Sequence, residues 1–290
     1  MALNLSILYR GSLSSCNYGC QYCPFAKTLN SALELAQDKA DLDRFVEWVS
    51  HRNNDHLGIL FTPWGEALIH HYYQTAISKL TQLPQVIKVA IQTNLSCNLD
   101  WMEDCNKQTL ALWTTFHPTE VSIEDFLQKC RQLDQRKVRY SVGIVGLKEH
   151  QKYAQLLRQE LLPSIYLWVN AYKRQPDYYT SNEIAFFSEI DRLFPINNKI
   201  YNTLEKPCHT GHTVISLDGE GSIRRCHFIK EVIGNIYSPN FEQVLFPRNC
   251  TNQVCRCHIG YIHLSELNLY KVYDDGILER IPRGEQINLG

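Results

Sequence analysis

Three cysteines within one short loop constrain this chain more than any other feature. The run Cys16-Asn17-Tyr18-Gly19-Cys20-Gln21-Tyr22-Cys23 has C-x3-C-x2-C spacing and follows an apolar stretch at residues 3–8. Thiolates are the usual ligands of iron–sulfur clusters, and a cubane has four irons to satisfy. Three cysteines leave one iron without a protein ligand. An open iron has no use in a structural cluster. In a reactive one it holds a small chelating molecule by an amino and a carboxylate group. For the run alone, a zinc site with a distant fourth ligand is the other reading.

Strand and helix patterns alternate around this loop. Residues 5–10 form a short apolar strand, and residues 35–52 carry Leu42, Phe45, Val46 and Val49 at helical spacing. The sequence then predicts a strand at 57–61, a helix at 68–83 stopped by Pro84, and a β-branched strand at 86–92. A short helix at 100–107 and a strand at 110–116 follow. Ser122 and Asp125 mark a helix start, with Phe126, Leu127, Cys130 and Leu133 along one face. A strand at 138–145, a helix at 149–162, a strand at 165–172 and a helix at 180–194 complete six strand–helix units. Such alternation argues for a parallel sheet with helices outside it. Six units are too few for a full eight-stranded barrel, and chemistry on such folds sits at the C-terminal ends of strands.

The polar motifs stand at those ends. After the second strand comes Thr62-Pro63-Trp64-Gly65-Glu66, after the third Gln92-Thr93-Asn94, after the fourth Thr114-Thr115-Phe116-His117. The fifth carries Ile144-Val145-Gly146 and the sixth runs into Asn170-Ala171-Tyr172-Lys173-Arg174. Together with the cysteine run and its aromatic Tyr22, these motifs resemble the radical S-adenosylmethionine (radical SAM) enzymes. The resemblance implies an α/β fold, a partial (β/α)6 TIM-like barrel. Cys16, Cys20 and Cys23 then hold a catalytic [4Fe–4S] cluster. An electron from it cleaves S-adenosylmethionine, and the 5′-deoxyadenosyl radical takes a substrate hydrogen. The family's Gly-Gly-Glu contact to the cofactor maps onto Gly65 and Glu66, with Trp64 in place of the first glycine. Tyr22, Thr93, Asn94, Ile144 and Gly146 are the other implied cofactor contacts, Ile144 through its backbone and apolar face. His117, Asn170, Tyr172, Lys173 and Arg174 are candidate substrate contacts. For each of these motifs an ordinary turn, helix start or solvated loop is the competing reading.

A second cysteine set begins at Cys208. Cys208, twelve residues, Gly221, four residues and Cys226 fit the pattern of the twitch and SPASM extensions of that family. Residues 214–217 and 222–227 read as a hairpin about the turn at 218–221, with a helix at 241–246. Cys250, Cys255 and Cys257 follow, five candidates for four positions. The resemblance implies one auxiliary [4Fe–4S] cluster on a small twitch domain at 201–290, after a barrel at 1–200. A four-cysteine zinc knuckle is the alternative. His209, His227 and His258 flank the set as substitute ligands, and Cys97, Cys105 and Cys130 read as ordinary thiols.

Composition bounds the rest. A net charge of −1 over 290 residues gives no electrostatic footprint for nucleic acid. No stretch approaches eighteen apolar residues and the start lacks a signal-peptide pattern, so neither membrane nor export is expected. Eleven cysteines, eight of them in two ligand-like clusters, suit metal in a reducing cytoplasm. The expected partners are a flavodoxin- or ferredoxin-type reductant and a peptide or small-molecule substrate that undergoes net oxidation. The rival reading is a non-enzymatic zinc or iron–sulfur electron-transfer module.

Overall fold

The computed structural model describes residues 2–25 and 28–284. Six parallel strands, β1 (Asn4–Gly11), β2 (His56–Phe61), β3 (Val86–Thr93), β4 (Leu110–Phe116), β5 (Arg139–Val145) and β6 (Leu167–Asn170), lie side by side in chain order. The connecting helices α1 (Ala32–Ser50), α2 (His71–Thr81), α3 (Ile123–Gln135) and α4 (Gln151–Glu160) are followed after β6 by α5 (Ser181–Ile190). This is the parallel α/β arrangement of a partial TIM-like barrel.

Helix ends follow local chemistry. Ser31 and Glu34 form a capping box that starts α1 three residues before the periodicity suggests, and Thr180 and Glu183 do the same for α5. The predicted helix at 68–83 is split: Ala67–Ile69 is a separate turn capped by the Glu66 side chain, and His70 is extended before α2. The predicted helix at 180–194 stops at Ile190. There the buried Asp191 carboxylate accepts hydrogen bonds from the amides of Val169 and Leu193 and from the Tyr166 hydroxyl. A short α6 (Phe194–Asn197) resumes with a proline in its first turn. Strand β6 ends at Asn170 because the next two amides are taken by side chains, Ala171 by Asn197 and Tyr172 by Tyr179. The predicted helices at 100–107 and 241–246 are shorter 3-10 turns, Asp100–Asp104 and Phe241–Val244.

Alternation along the strands separates two faces. Leu5, Ile7 and Tyr9 of β1 pack toward the helices with Leu42, Phe45 and Val49 of α1. Cys97, Cys105 and Cys130 lie in this same core. Leu8, Leu60, Ala90, Ala111, Trp113 and Trp168 face the other way and fill the inside of the barrel. The inner floor is closed by a late segment. Leu278 packs against Gly58, and Ser141 donates to the Glu279 carbonyl. The Glu279 carboxylate pairs with Lys88 (2.8 Å) and Arg139 (3.2 Å), and the Arg280 guanidinium lies 4.8 Å over the Trp113 ring. The floor is thus apolar and ion-paired, and the polar residues are left at the upper ends of the strands.

The later strands are β7 (Tyr201–Asn202), β8 (Pro207–Cys208), β9 (Val214–Asp218), β10 (Ser222–Arg224), β11 (Val232–Asn235), β12 (Arg248–Asn249) and β13 (Val254–Cys255). The β9–β10 hairpin extends the barrel sheet: β9 runs parallel to β1, Leu8 opposite Ser216, to give the order β11-β10-β9-β1-β2-β3-β4-β5-β6. Two small antiparallel pairs, β8 with β12 and β7 with β13, carry Cys208 and Cys255.

Candidate functional site

The first cysteine loop leaves β1 at Gly11, whose positive φ of 63° suits glycine. The loop then lies directly on the end of β2. The Ser15 carbonyl accepts from the Glu66 amide at 3.2 Å, and the Trp64 amide donates to Leu13 at 3.2 Å. A Cβ on Gly65 would stand 1.6 Å from the Ser15 oxygen, so only glycine permits this approach. Trp64 is tolerated one place earlier because its side chain turns outward. It is half exposed, 5.2 Å from the Phe25 ring and beneath the Arg10 guanidinium.

Two further strand ends hold the loop. From β3, Asn94 Nδ2 donates to Asn17 Oδ1 at 3.0 Å and approaches Cys16 Sγ at 3.9 Å. After β4, His117 Nδ1 lies 3.4 Å from Cys20 Sγ and 2.9 Å from the Tyr22 hydroxyl, its ring parallel to that of Tyr22. Glu120 accepts from the Gly19 amide. Amides also reach the sulfurs, Tyr18 N to Cys16 at 3.5 Å and Phe25 N to Cys23 at 3.4 Å. Burial raises the Cys16 thiol and pushes Cys20 up to about 11, so loading metal there releases protons. Burial also lowers His117 to about 4, which keeps the imidazole neutral. His117, read from the sequence as a candidate substrate contact, thus has its Nδ1 turned to the cysteine loop.

Glu66 is buried, and both its oxygens are used within the chain. Oε1 accepts from the Leu68 amide (3.0 Å) and the Thr93 hydroxyl (2.9 Å), and Oε2 accepts from the Asn94 amide. Desolvation raises its pKa to about 7, against the opposing pull of these hydrogen bonds. The side chain therefore ties the β2 end to the Thr93–Asn94 turn and sets the height of Asn94 beside Cys16.

On β5 the structure departs from expectation. The Ile144 side chain is fully buried in the helix-side core, since it follows Val142 on that face and pairs beside Phe116. Its apolar face is not presented to the barrel, and only its backbone is placed at the strand end. Gly146 is closed over by Tyr179, whose hydroxyl donates to the Gly146 carbonyl at 2.6 Å. At the end of β6, Asn170 lies in the inward register of Trp168, and its buried Oδ1 has no hydrogen-bond partner among the described residues. Tyr172 packs on Tyr178, and Arg174 is exposed. Lys173 turns toward the second cysteine set. Its Nζ donates to the Asn197 carbonyl and lies 5.5 Å over Tyr261, and burial lowers it to about 8 while the Cys255 and Cys257 thiolates would raise it.

Cys208, Cys226, Cys250, Cys255 and Cys257 all line one cavity, with Phe228, Val254 and Leu264 as its apolar wall. The Gly260 amide donates to Cys257 Sγ at 3.2 Å. No histidine lines this cavity among the described residues. His227 turns to Arg10 and Thr62 instead, and His209 packs on Tyr270. A soft thiolate donor set around one enclosed space suits an iron–sulfur cluster. Among the described residues no three His, Cys, Asp or Glu side chains converge closely enough for a single metal ion.

Arg10 was not apparent as a site residue in the sequence, and His227 only as a substitute ligand for the second cysteine set. Arg10 is the last inward-facing position of β1, and a charge at the C-terminal end of a barrel strand is the signal that marks it.

No protein-family model matches the chain, and no curated protein matches its sequence. Solved structures do. Native anSMEcpe with bound AdoMet and Kp18Cys peptide superposes with a TM-score of 0.57 at 13% identity, covering 83% of this chain and 80% of that one. Native anSMEcpe with bound AdoMet gives 0.56 at 14% identity, with the same coverage. At this identity the likeness is one of fold, shared with AdoMet-bound anSMEcpe.

Proposed function

We propose that the chain is a radical SAM enzyme that oxidises a peptide or small metabolite. The observation that carries this reading is the seat of the C-x3-C-x2-C loop. Within the fold shared with AdoMet-bound anSMEcpe, it is held at the ends of β1 to β4 by Gly65, Asn94 and His117. Cys16, Cys20 and Cys23 would hold one [4Fe–4S] cluster and leave an iron for the amino and carboxylate groups of S-adenosylmethionine. When bound and reduced, cluster and cofactor would supply hydrogen-abstracting radical chemistry, and an auxiliary cluster held by the second cysteine set would accept the electron that a net oxidation of the substrate releases.

The chain's own residues position and exclude. Gly65 lets the β2 end meet the loop, and Glu66 fixes the Thr93–Asn94 turn beside Cys16. Asn170 offers an unpaired acceptor at the barrel mouth. The floor of Leu278, Glu279 and Arg280 keeps water from entering below. Four of the five C-terminal cysteines would hold the auxiliary cluster, and Lys173 supplies positive charge beside Cys255 and Cys257. Two cysteine clusters with ligand-like spacing suit a cytoplasmic protein fed by a flavodoxin- or ferredoxin-type reductant. No helix among the described residues is long and apolar enough to cross a membrane.

Anaerobic reconstitution followed by dithionite and S-adenosylmethionine tests the reading. Slow release of 5′-deoxyadenosine is expected even without substrate. Stoichiometric zinc with no cofactor cleavage would instead establish the non-enzymatic module.

A further inference from the structure

A cavity of about 350 Å³ opens between the two cysteine sites, a size within the usual range of small-molecule sites. It is lined by Arg10 and Ser12 of the β1 end, Trp64 of the β2 loop, and Ser216, Arg224 and His227 of the hairpin side. No candidate contact drawn from the sequence motifs lies in it.

Its charges do not cancel. Asp218, the one acidic residue in the lining, is paired with Arg224 and also accepts from the Ser222 amide. Arg10 has no carboxylate partner among the described residues. Its Nη2 meets His227 Nδ1 at 2.5 Å, and its guanidinium rests over the rings of Trp64 (5.5 Å) and Phe25 (5.8 Å). An arginine can only donate, so His227 must offer an unprotonated Nδ1. His227 Nε2 is then the protonated nitrogen, 3.4 Å from the Thr62 hydroxyl. One donor of Arg10 is used to fix its position, and the others remain for a ligand. The Ser12 and Ser216 side chains add hydroxyls to the same lining.

We propose that this cavity binds an anionic oxygen group of the substrate, a carboxylate or a phosphate, with Arg10 as its principal donor and His227 as the positioning residue. A planar guanidinium held by one edge against an imidazole presents its free donors in the geometry such groups accept. The site adjoins both cysteine loops, Trp64 lying one residue before Gly65 and His227 one after Cys226. An anchored anion there would set the rest of the molecule between them. Calling the anion part of the substrate rests on the proposed function; its binding does not.

Calorimetric titration of the reconstituted protein at constant ionic strength tests the site, with inorganic phosphate and succinate as probes and glycerol as the neutral control. One of the two anions should bind saturably at one site, and which one identifies the group. Arg10→Gln should weaken it at least tenfold, Arg10→Lys less, and Lys107→Gln, which removes a distant surface charge, not at all. Ser216→Asp places a negative charge in the cavity and should abolish binding with Arg10 intact, which covers the case in which Arg10→Gln misfolds. Absence of saturable binding by the unaltered protein, or unchanged affinity in both Arg10→Gln and Ser216→Asp, overturns the inference. A protein that cleaves the cofactor but binds neither anion refutes this site alone. One that binds the anion but releases no 5′-deoxyadenosine refutes the enzymatic reading alone.

Discussion

The two cysteine sites are built in opposite ways. The first is a loop with little regular structure, and Cys16 and Cys23 are only partly buried. Side chains and backbone edges from four different strand ends hold it in place. The second is an enclosed space whose walls are short strand pairs, β7–β13 and β8–β12, with Cys250 and Cys257 buried. A site that must admit a ligand is presented by its surroundings, whereas one that only holds metal can be made from its own ligands' backbone. The difference predicts where each site is vulnerable.

The largest effect should come from the loop's own ligands. Changing Cys16, Cys20 and Cys23 together to Ala should abolish 5′-deoxyadenosine release and lower iron from about eight to about four per chain, two cubanes to one. Undiminished release would dissolve the contrast, because the loop would then present nothing. Cys226→Ala should do the converse. Iron again falls by about four, but 5′-deoxyadenosine still forms while product formation on the native substrate is lost. It should also lower the unfolding temperature, because metal binding there is folding energy. Single Ala changes at Cys208, Cys250, Cys255 and Cys257 should reveal one spare ligand by its near-normal iron content.

A smaller effect separates presentation from ligation. Gly65→Ala removes no ligand but forces Ser15 away, at a cost of roughly 1–3 kcal/mol as overpacking usually exacts. It should deplete the first cluster and spare the second, read by iron content beside the Cys226→Ala background. Equal loss at both sites would show that the strand ends do not support the loop selectively.

The last effect is on stability rather than on a cluster, and concerns pH. Burial holds the Glu66 pKa at about 7, above its ordinary 4.5, so the stability tied to its neutral form is full below 4.5 and lost as pH rises through 7. At about 1.4 kcal/mol per pKa unit this is on the order of 3 kcal/mol. Glu66→Gln should flatten the fall in urea midpoint between pH 5 and 8. Parallel profiles for the two proteins would show that the three hydrogen bonds outweigh the burial.

Much of this was legible in the sequence because it is local. Period-2 and period-3.6 patterns marked the six strand–helix units, and the cysteine spacings marked the two cysteine sites that the fold assembles. What escaped was set by distant neighbours. Ile144 faces the helices because the register of β5 against β4 says so, and no property of isoleucine reveals it. His117 reads like any histidine before a proline until the loop folds back over it. The hairpin reads as a separate unit, since nothing near Ser216 announces that its partner is Leu8. Arg10 looks like the polar end of a strand, and only the fold supplies Trp64 and His227 around it.

The pairing of β1 with both β2 and β9 carries a consequence for how the chain is made. Leu8 finds one neighbour at Leu60 and the other only at Ser216, and the floor waits for Leu278 and Glu279. Contacts so far apart in sequence are slow to form. During synthesis the first five strand–helix units would stand with one edge of β1 bare and an apolar interior open to water, a state prone to sticking to its neighbours. Emergence of Leu278 and Glu279, rather than completion of the sixth strand, becomes the moment at which the barrel can close. Chain shortening that removes residues 277–280 should accordingly leave a protein that is made but accumulates in aggregates, even with every cysteine in place.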